Sequence, residues 1–499
     1  MRKISATMVS QHPDHANKPY WHSTPFIKVQ DEIEEAHRSF FDIGSSEYKW
    51  DWEGKFVDES VVERLLTTYF DDFSKAPLGV EKFLTFRLPN PKVQTEFRLG
   101  RAFMGIIGAA GLAETAGLQP PLFEVILPMT ETSQEMIDIQ EAYQEMNSLK
   151  HPLLKITDSN KLRQLEIIPL FEQVEVILDS DKIIREYLEY YLNRFGEKPE
   201  YMRPYVARSD PALNSGLVPT VLAIKVALSK YHQFEIPMYP IIGSASLPFR
   251  GGLTPYSVEQ FASLYKGVRT ALIQSAFRYD YDLELVKEGI RKLEEILPTQ
   301  TADTVSPQEE KLIREVVPVF ESYYRPVIEG IADVINLIAG QLPKRRERVQ
   351  HVGLFGYSRG VGSVKLPRAI GFTAALYNIG APPEIIGTGR ALKEIKEQNR
   401  EGFDLILKLY PTLVPDLQRA GRFVNKAVIT TLAKKSVVWK TVWEDVQAIE
   451  AVFGITLEPE TPEEHEHAAF VSSIYSGMQN GSIEVKDIEA AARLRKSLG

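Results

Sequence analysis

Four arginines, two carboxylates and one histidine recur in the same kind of place along this chain. Each follows a short apolar run. His12 lies in QHPD (Gln11–Asp14), where the following proline favours an extended backbone and ends a strand. With a side-chain pKa near neutrality, a histidine so placed is a candidate acid–base group. Glu172 closes PLFE and Asp210 closes ARSD. Two hard oxygen donors with open positions suit Mg²⁺, which keeps waters and takes a phosphate-bearing substrate as partner. Singly, each carboxylate reads as an ion-pair member or a helix cap, and the pairing on adjacent strands is what favours a metal. Arg87, Arg250, Arg359 and Arg368 complete the set. A cationic site in a chain of net charge −9 calls for a small, highly anionic substrate, and phosphate plus carboxylate would suit it.

Two glycine-rich segments surround these arginines. In GSASLPFRGG (Gly243–Gly252), glycine allows close backbone approach to a ligand and Arg250 supplies a planar oxyanion donor. GYSRGVGSVKLPRAIG (Gly356–Gly371) repeats the idea with Arg359 and Arg368. Neither is a Walker P-loop, and GIIGAAG (Gly105–Gly111) is not a dinucleotide fingerprint. Gly243–Gly252 and Gly360–Gly362 are candidate mobile lids. His22, His37, His151, His232 and His351 read as structural or solvated. His465 and His467, in EEHEH, are too closely spaced to share a helix face, so a solvated acidic face is expected rather than a metal site. Lys344, Arg345, Arg346 and Arg348 read as a solvated basic turn.

Short apolar runs alternate with helical periods along the chain, the α/β signature. Nine runs are candidate strands: Ala6–Ser10, Tyr48–Trp52, Phe83–Leu88, Phe123–Met129, Glu166–Phe171, Arg203–Ala207, Met238–Ile242, Thr270–Ser275 and Val352–Tyr357. A (β/α)₈ barrel has eight places, and Tyr48–Trp52 or Thr270–Ser275 is the first to drop. In such a barrel the polar strand ends share one face, the face that carries chemistry. Helical periods cover Ser60–Phe73 and a stretch ending at Phe195 before Gly196. Gln300–Gln308 reads as a loop between two helices. Beyond Tyr357 the expected helices are Arg368–Ile379, Arg390–Lys408, Asp416–Ala433, Val437–Phe453, Glu463–Met478 and Asp487–Ser497. The division expected is a barrel over residues 1–365 and a helical region over 366–499.

Composition closes off other classes. The chain has 499 residues, 44% hydrophobic and 25% charged, so it is not a largely disordered chain. Its 58 Lys+Arg against 67 Asp+Glu argue against a nucleic-acid partner. With no cysteine there is no disulfide, thiolate nucleophile or zinc–thiolate site. No run reaches the ~18 apolar residues of a membrane span, and no signal peptide is evident, so no membrane association and a cytoplasmic enzyme are expected.

The motifs then acquire a family. QHPD, WDWEGK (Trp50–Lys55), FRLPNP (Phe86–Pro91), FEVILPMT (Phe123–Thr130), IIPLFE, ARSDPALNSG, YPIIG with PFRGG, QSAFRYD, and GLFGYSRG with LPRAI run in order from about residue 6 to 385. Together they resemble the archaeal-type phosphoenolpyruvate carboxylases. The resemblance implies a TIM barrel with additional, mostly C-terminal helices, and a homotetramer. It implies carboxylation of phosphoenolpyruvate by bicarbonate to oxaloacetate and phosphate, through carboxyphosphate and a metal-stabilised enolate, with Mg²⁺ or Mn²⁺. By similarity Glu172 and Asp210 hold the ion, His12 and Arg250 are catalytic, and Arg87, Arg359, Arg368 and Gln274 bind substrate. Where the larger bacterial and plant enzymes carry a catalytic Lys, this chain has Leu213, and Ile242 and Ser244 stand where they have a His and a further Arg. Another barrel acting on phosphoenolpyruvate or pyruvate is the competing enzyme class. A non-catalytic binding barrel is a further alternative.

Overall fold

The computed structural model describes residues 3–54, 56–92, 97–115, 117–148, 162–347, 359–361 (backbone) and 364–499. Eight parallel strands close into a barrel in sequence order: β1 (Thr7–Ser10), β2 (Glu47–Asp51), β3 (Phe83–Arg87), β4 (Glu124–Leu127), β5 (Glu166–Phe171), β6 (Tyr205–Val206), β7 (Ile241–Ile242) and β8 (Thr270–Ile273). β1 pairs with both β2 and β8, which completes the ring. The two runs judged most dispensable are therefore both barrel strands. Val352–Tyr357 lies outside the described residues, and the barrel closes without it. A separate antiparallel pair, β9 (Arg359–Val361) and β10 (Val364–Leu366), follows.

The reason for the misjudged strand is visible in β2. Its sequence EYKWDWE alternates polar and aromatic residues, which on a half-exposed sheet would face water and core respectively. Here Tyr48, Trp50 and Trp52 join the main core, shared with the outer helices. Glu47, Lys49, Asp51 and Glu53 face the other way, and all four are buried. The barrel interior is thus layered. At the N-terminal end of the strands Arg203 bridges Glu47 and Glu124. Above it lies an apolar layer of Met8, Ile126, Ile168, Leu170, Tyr205, Ile241 and Leu272. Polar groups crown the C-terminal end.

Loops at that end launch the helices. Val174–Phe195 follows β5 and stops at Gly196, whose φ of +79° gives a left-handed cap. Leu283–Ile296 and Pro307–Gly330 flank a loop over 300–306, two residues shorter than the expected Gln300–Gln308 because Pro307 opens the second helix. Three of the expected helices are broken. Ser60–Phe73 is broken at Tyr69 into Val61–Thr68 and Phe70–Lys75. Arg390–Lys408 is broken at Asn399, whose side chain accepts from Gly402 N at 2.9 Å and so caps a new helix. Asp416–Ala433 is likewise split, with Asn425 capping Lys426–Ala433. GIIGAAG lies inside the helix Arg98–Thr115. The main hydrophobic core runs from Ala6 to Val471, so the C-terminal helices and the barrel share it. Among the described residues no helix is long and apolar enough to cross a membrane.

Candidate active site

The C-terminal strand ends open onto a cavity of about 760 Å³. β1 delivers His12, β3 Arg87 and β5 Glu172. Asp210 sits in the first turn of the helix Ser209–Ser215 after β6, Arg250 comes from the loop after β7, and Gln274 follows β8. Arg368 arrives from the C-terminal side, at the N-terminus of the helix Ala369–Asn378. Seven of the eight residues singled out in the sequence therefore line one cavity. For the eighth, Arg359, the backbone opens β9, and its side chain lies outside the described residues.

The arginines are held in different ways. Asp51 and Arg87 are cross-strand partners on β2 and β3, and their side chains make a two-pronged bond of 2.7 and 2.6 Å. Glu53 meets the third nitrogen of Arg87 at 2.6 Å. These neighbouring carboxylates raise the Arg87 pKa well above its usual value against the cost of burial. Most of that guanidinium fork is thus committed to protein, and only the remaining N–H groups can meet a ligand. Arg368, a third exposed, also reaches Glu53, at 3.4 Å. Arg250 is buried and braced on every side. It donates to Gln274 Oε1 at 2.7 Å, to Ser209 Oγ at 3.2 Å, to Asp14 Oδ2 at 3.5 Å, and to the Gly499 carbonyl. Gln274 therefore acts first as a brace for Arg250. The Gly499 contact brings the last residues of the chain into the site, and Leu498 also lines the cavity.

His12 departs from the expected near-neutral titration. Its Nδ1 lies 2.9 Å from Ser10 Oγ. Desolvation, then Lys49 and Arg87, lower its pKa well below the ordinary value, with Asp51 opposing. That direction favours the neutral imidazole, a proton acceptor. Glu172 and Asp210 both lie within electrostatic reach of the Tyr205 hydroxyl, whose pKa is raised by burial, so the two carboxylates converge on one region. Among the described residues no group of three or more His, Asp or Glu is poised for a metal. Two carboxylates facing an open cavity fit Mg²⁺ or Mn²⁺, which take remaining ligands from water and substrate; they do not fit a closed structural site.

The loop Gly243–Gly252 is not a free lid. All ten of its residues are buried. Arg208 donates to the carbonyls of Phe249 and Pro248 at 3.1 and 3.3 Å, and Arg419 to those of Ser246 and Gly252 at 2.6 and 3.3 Å. Gly251, at φ +122°, packs so closely that a Cβ there would meet Ser244 Cα at 3.1 Å. Glu384 accepts from Phe249 N at 2.8 Å and from Tyr377 Oη at 2.7 Å. Burial, helped by Asp416, pushes the Glu384 carboxyl up to about 7, against the pull of those hydrogen bonds. A carboxyl with a folded pKa above its unfolded one stabilises most below the unfolded value, and this contribution is lost as pH rises through the folded one. Folding stability is thus expected to fall by on the order of 3 kcal/mol between pH 4.5 and 8 through this group alone. Glu384→Gln keeps the acceptor and should lack that component, which urea unfolding across this pH range measures.

Several groups escaped sequence reasoning. Arg345 and Arg346 are not a solvated turn. Arg345 donates to the carbonyls of His15 and Ala16, and Arg346 bridges Glu32 and Glu35. Their partners lie more than 300 residues away, beyond the reach of local charge pattern. Lys344 is exposed, and Arg348, His151 and His351 lie outside the described residues. Of the two histidines in EEHEH, His465 faces solvent. His467 is buried beside Arg495 and Phe423, because a spacing of two turns side chains to opposite sides of a helix. Asp51, Glu53 and Lys49 carried a signal that was legible, namely charge on every second residue of a barrel strand.

Known proteins resemble this chain along its whole length. The family model described as phosphoenolpyruvate carboxylase matches residues 4–499. A protein of Leuconostoc mesenteroides named phosphoenolpyruvate carboxylase is 36% identical, covering 100% of this chain and 99% of its own. One of Metallosphaera sedula with the same name is 35% identical over the whole of both chains. A third, of Pyrococcus horikoshii, is 39% identical over 85% of this chain and 89% of its own.

Proposed function

The chain belongs to the phosphoenolpyruvate carboxylase family, with its archaeal-type members, and from that premise we propose that it joins phosphoenolpyruvate and bicarbonate to give oxaloacetate and phosphate. The observation that carries this reading is the convergence of Arg87, Arg250, Arg368, the His12 imidazole and two carboxylates on one cavity. Glu172 and Asp210 are the residues that would hold Mg²⁺ or Mn²⁺, and the bound ion supplies Lewis-acid neutralisation of substrate oxygens.

The protein's own side chains account for the remaining steps. Arg250 and Arg368, with Arg359, neutralise the phosphoryl oxygens and align bicarbonate for in-line attack on phosphorus. The bond from phosphorus to the enol oxygen breaks, leaving carboxyphosphate and the enolate of pyruvate. His12 takes the carboxyl proton of carboxyphosphate. The bond between its carbon and the bridging oxygen then breaks, giving CO₂ and phosphate. C3 of the enolate forms the new bond to CO₂, and the imidazolium returns its proton to phosphate. An imidazole of lowered pKa suits that return, because its conjugate acid gives the proton up readily. The buried walls limit water, which would otherwise protonate the enolate to pyruvate. A homotetramer in the cytoplasm completes the proposal.

Oxaloacetate formation, followed by NADH oxidation with malate dehydrogenase, is expected to require both bicarbonate and a divalent ion. Activity independent of bicarbonate would point instead to another phosphoenolpyruvate-handling barrel. His12→Asn should uncouple the two halves, consuming phosphoenolpyruvate slowly and yielding pyruvate rather than oxaloacetate. A full oxaloacetate yield from that variant would remove His12 as the base.

A further inference from the structure

Lys49 is the one lysine of β2, and its register pairs it with Ser10 on β1 and Thr85 on β3. It shares the inward face with Glu47 below and Asp51 above. Its side chain is fully buried, and Arg87, Asp51, Glu53 and Glu172 of the polar crown act on its ammonium. Among the described residues its ammonium has no hydrogen-bond acceptor. Burying a cation without an acceptor costs several kcal/mol, and Lys49 adds nothing visible to the packing that a methionine would not. A lumen lysine is long enough to lift its nitrogen about two strand residues, at roughly 3.3 Å each, toward the C-terminal end. Two residues beyond Ser10 on the paired strand is His12.

We propose that Lys49 is a positioning residue whose charge, inserted from beneath the cavity floor, keeps His12 unprotonated until substrate arrives. The inference rests on the carboxylation reading and deepens it, since that chemistry needs His12 empty of a proton when carboxyphosphate forms. The charged groups facing His12 are Lys49 from β2, Arg87 from β3 and Arg250 from the loop after β7, against Asp51 at the end of β2. Arg87 and Arg250 are largely compensated by Asp51, Glu53 and Asp14. Lys49 is hydrogen-bonded to no carboxylate, and Asp51, Glu53 and Glu172 act on it only across space. Burial, then Arg87, push its own pKa down to about 7 against the pull of Asp51, Glu53 and Glu172. Below that pH it carries its charge, and His12 meets that field as it would gain a proton. A dianionic substrate entering above would offset this field and allow His12 to take its proton during turnover.

The test is NMR titration of the His12 imidazole in protein free of metal and substrate, with His12→Asn assigning the resonance. Lys49→Met, nearly isosteric, is expected to raise the His12 midpoint by at least one pH unit. The acidic limb of the kcat/KM profile should move with it. Lys49→Arg should keep both near wild type, and Lys49→Gln gives a second neutral variant should the methionine form fold poorly. Neutral variants whose His12 titrates as in the wild type would overturn the proposal, even if their turnover fell. Wild-type protein that makes no oxaloacetate would instead refute the carboxylation reading, and the titration would still decide the role of Lys49.

Discussion

Arg250→Ala is expected to lower oxaloacetate formation by about 10²–10³, the usual loss when one preorganised charge donor is removed from a site that excludes water. The size follows from how this guanidinium is held. Gln274, Ser209, Asp14 and the Gly499 carbonyl fix its plane, while Arg208, Arg419 and Glu384 fix the loop beneath it. A donor so braced needs no reorganisation as negative charge develops. Arg250→Lys should recover only part of the loss, since an ammonium keeps the charge but not the planar fork. The obvious confusion is with misfolding, because Asp14 loses a cation. Burial already raises the Asp14 pKa, and Ser275 and the backbone N–H of Ala276 still bind its carboxyl, so it can take a proton instead. Asp14→Asn combined with Arg250→Ala should therefore restore thermal stability without restoring turnover. Unchanged turnover in the single variant would remove Arg250 from the mechanism.

How this site could be read without coordinates is itself a consequence of barrel geometry. Parallel strands put every C-terminal end on one face, so a run such as IIPLF followed by Glu172 places its carboxylate with little dependence on the rest of the chain. The same holds for His12 after β1 and Asp210 after β6. What could not be read was whatever depended on the second partner. Arg87 looked like an available substrate ligand until Asp51 and Glu53 were found on it. The glycines of Gly243–Gly252 suggested motion, yet Arg208 and Arg419 hold the loop through carbonyls that carry no sequence identity. Arg345 and Arg346 looked solvated because Glu32, Glu35 and the His15 carbonyl are remote in sequence. Alternation on β2 misled for a different reason. Period two tells which residues share a face, but only barrel closure makes the charged face the inner one.

That inner charged face carries the largest stability expectation in the molecule. Arg203 is fully buried between Glu47 and Glu124, at 2.8 and 2.9 Å from the two oxygens of Glu47, and Thr270 Oγ1 accepts from it at 3.1 Å. Tyr201 donates to Glu124 at 2.7 Å, so both carboxylates have further partners and remain ordered as a cluster. Removing the cation alone leaves two like charges in a low-dielectric interior, and breaking a buried pair in this way costs about 3–5 kcal/mol. Arg203→Met should show that loss in urea unfolding. Replacing the whole cluster, with Glu47→Leu and Glu124→Leu added, should return most of it, because an apolar plug of similar volume needs no charge compensation. Lys49 and the apolar layer separate this cluster from the cavity. The triple variant is therefore expected to keep its kcat, whereas a parallel fall in kcat would mean that the lower cluster sets the geometry of the polar crown.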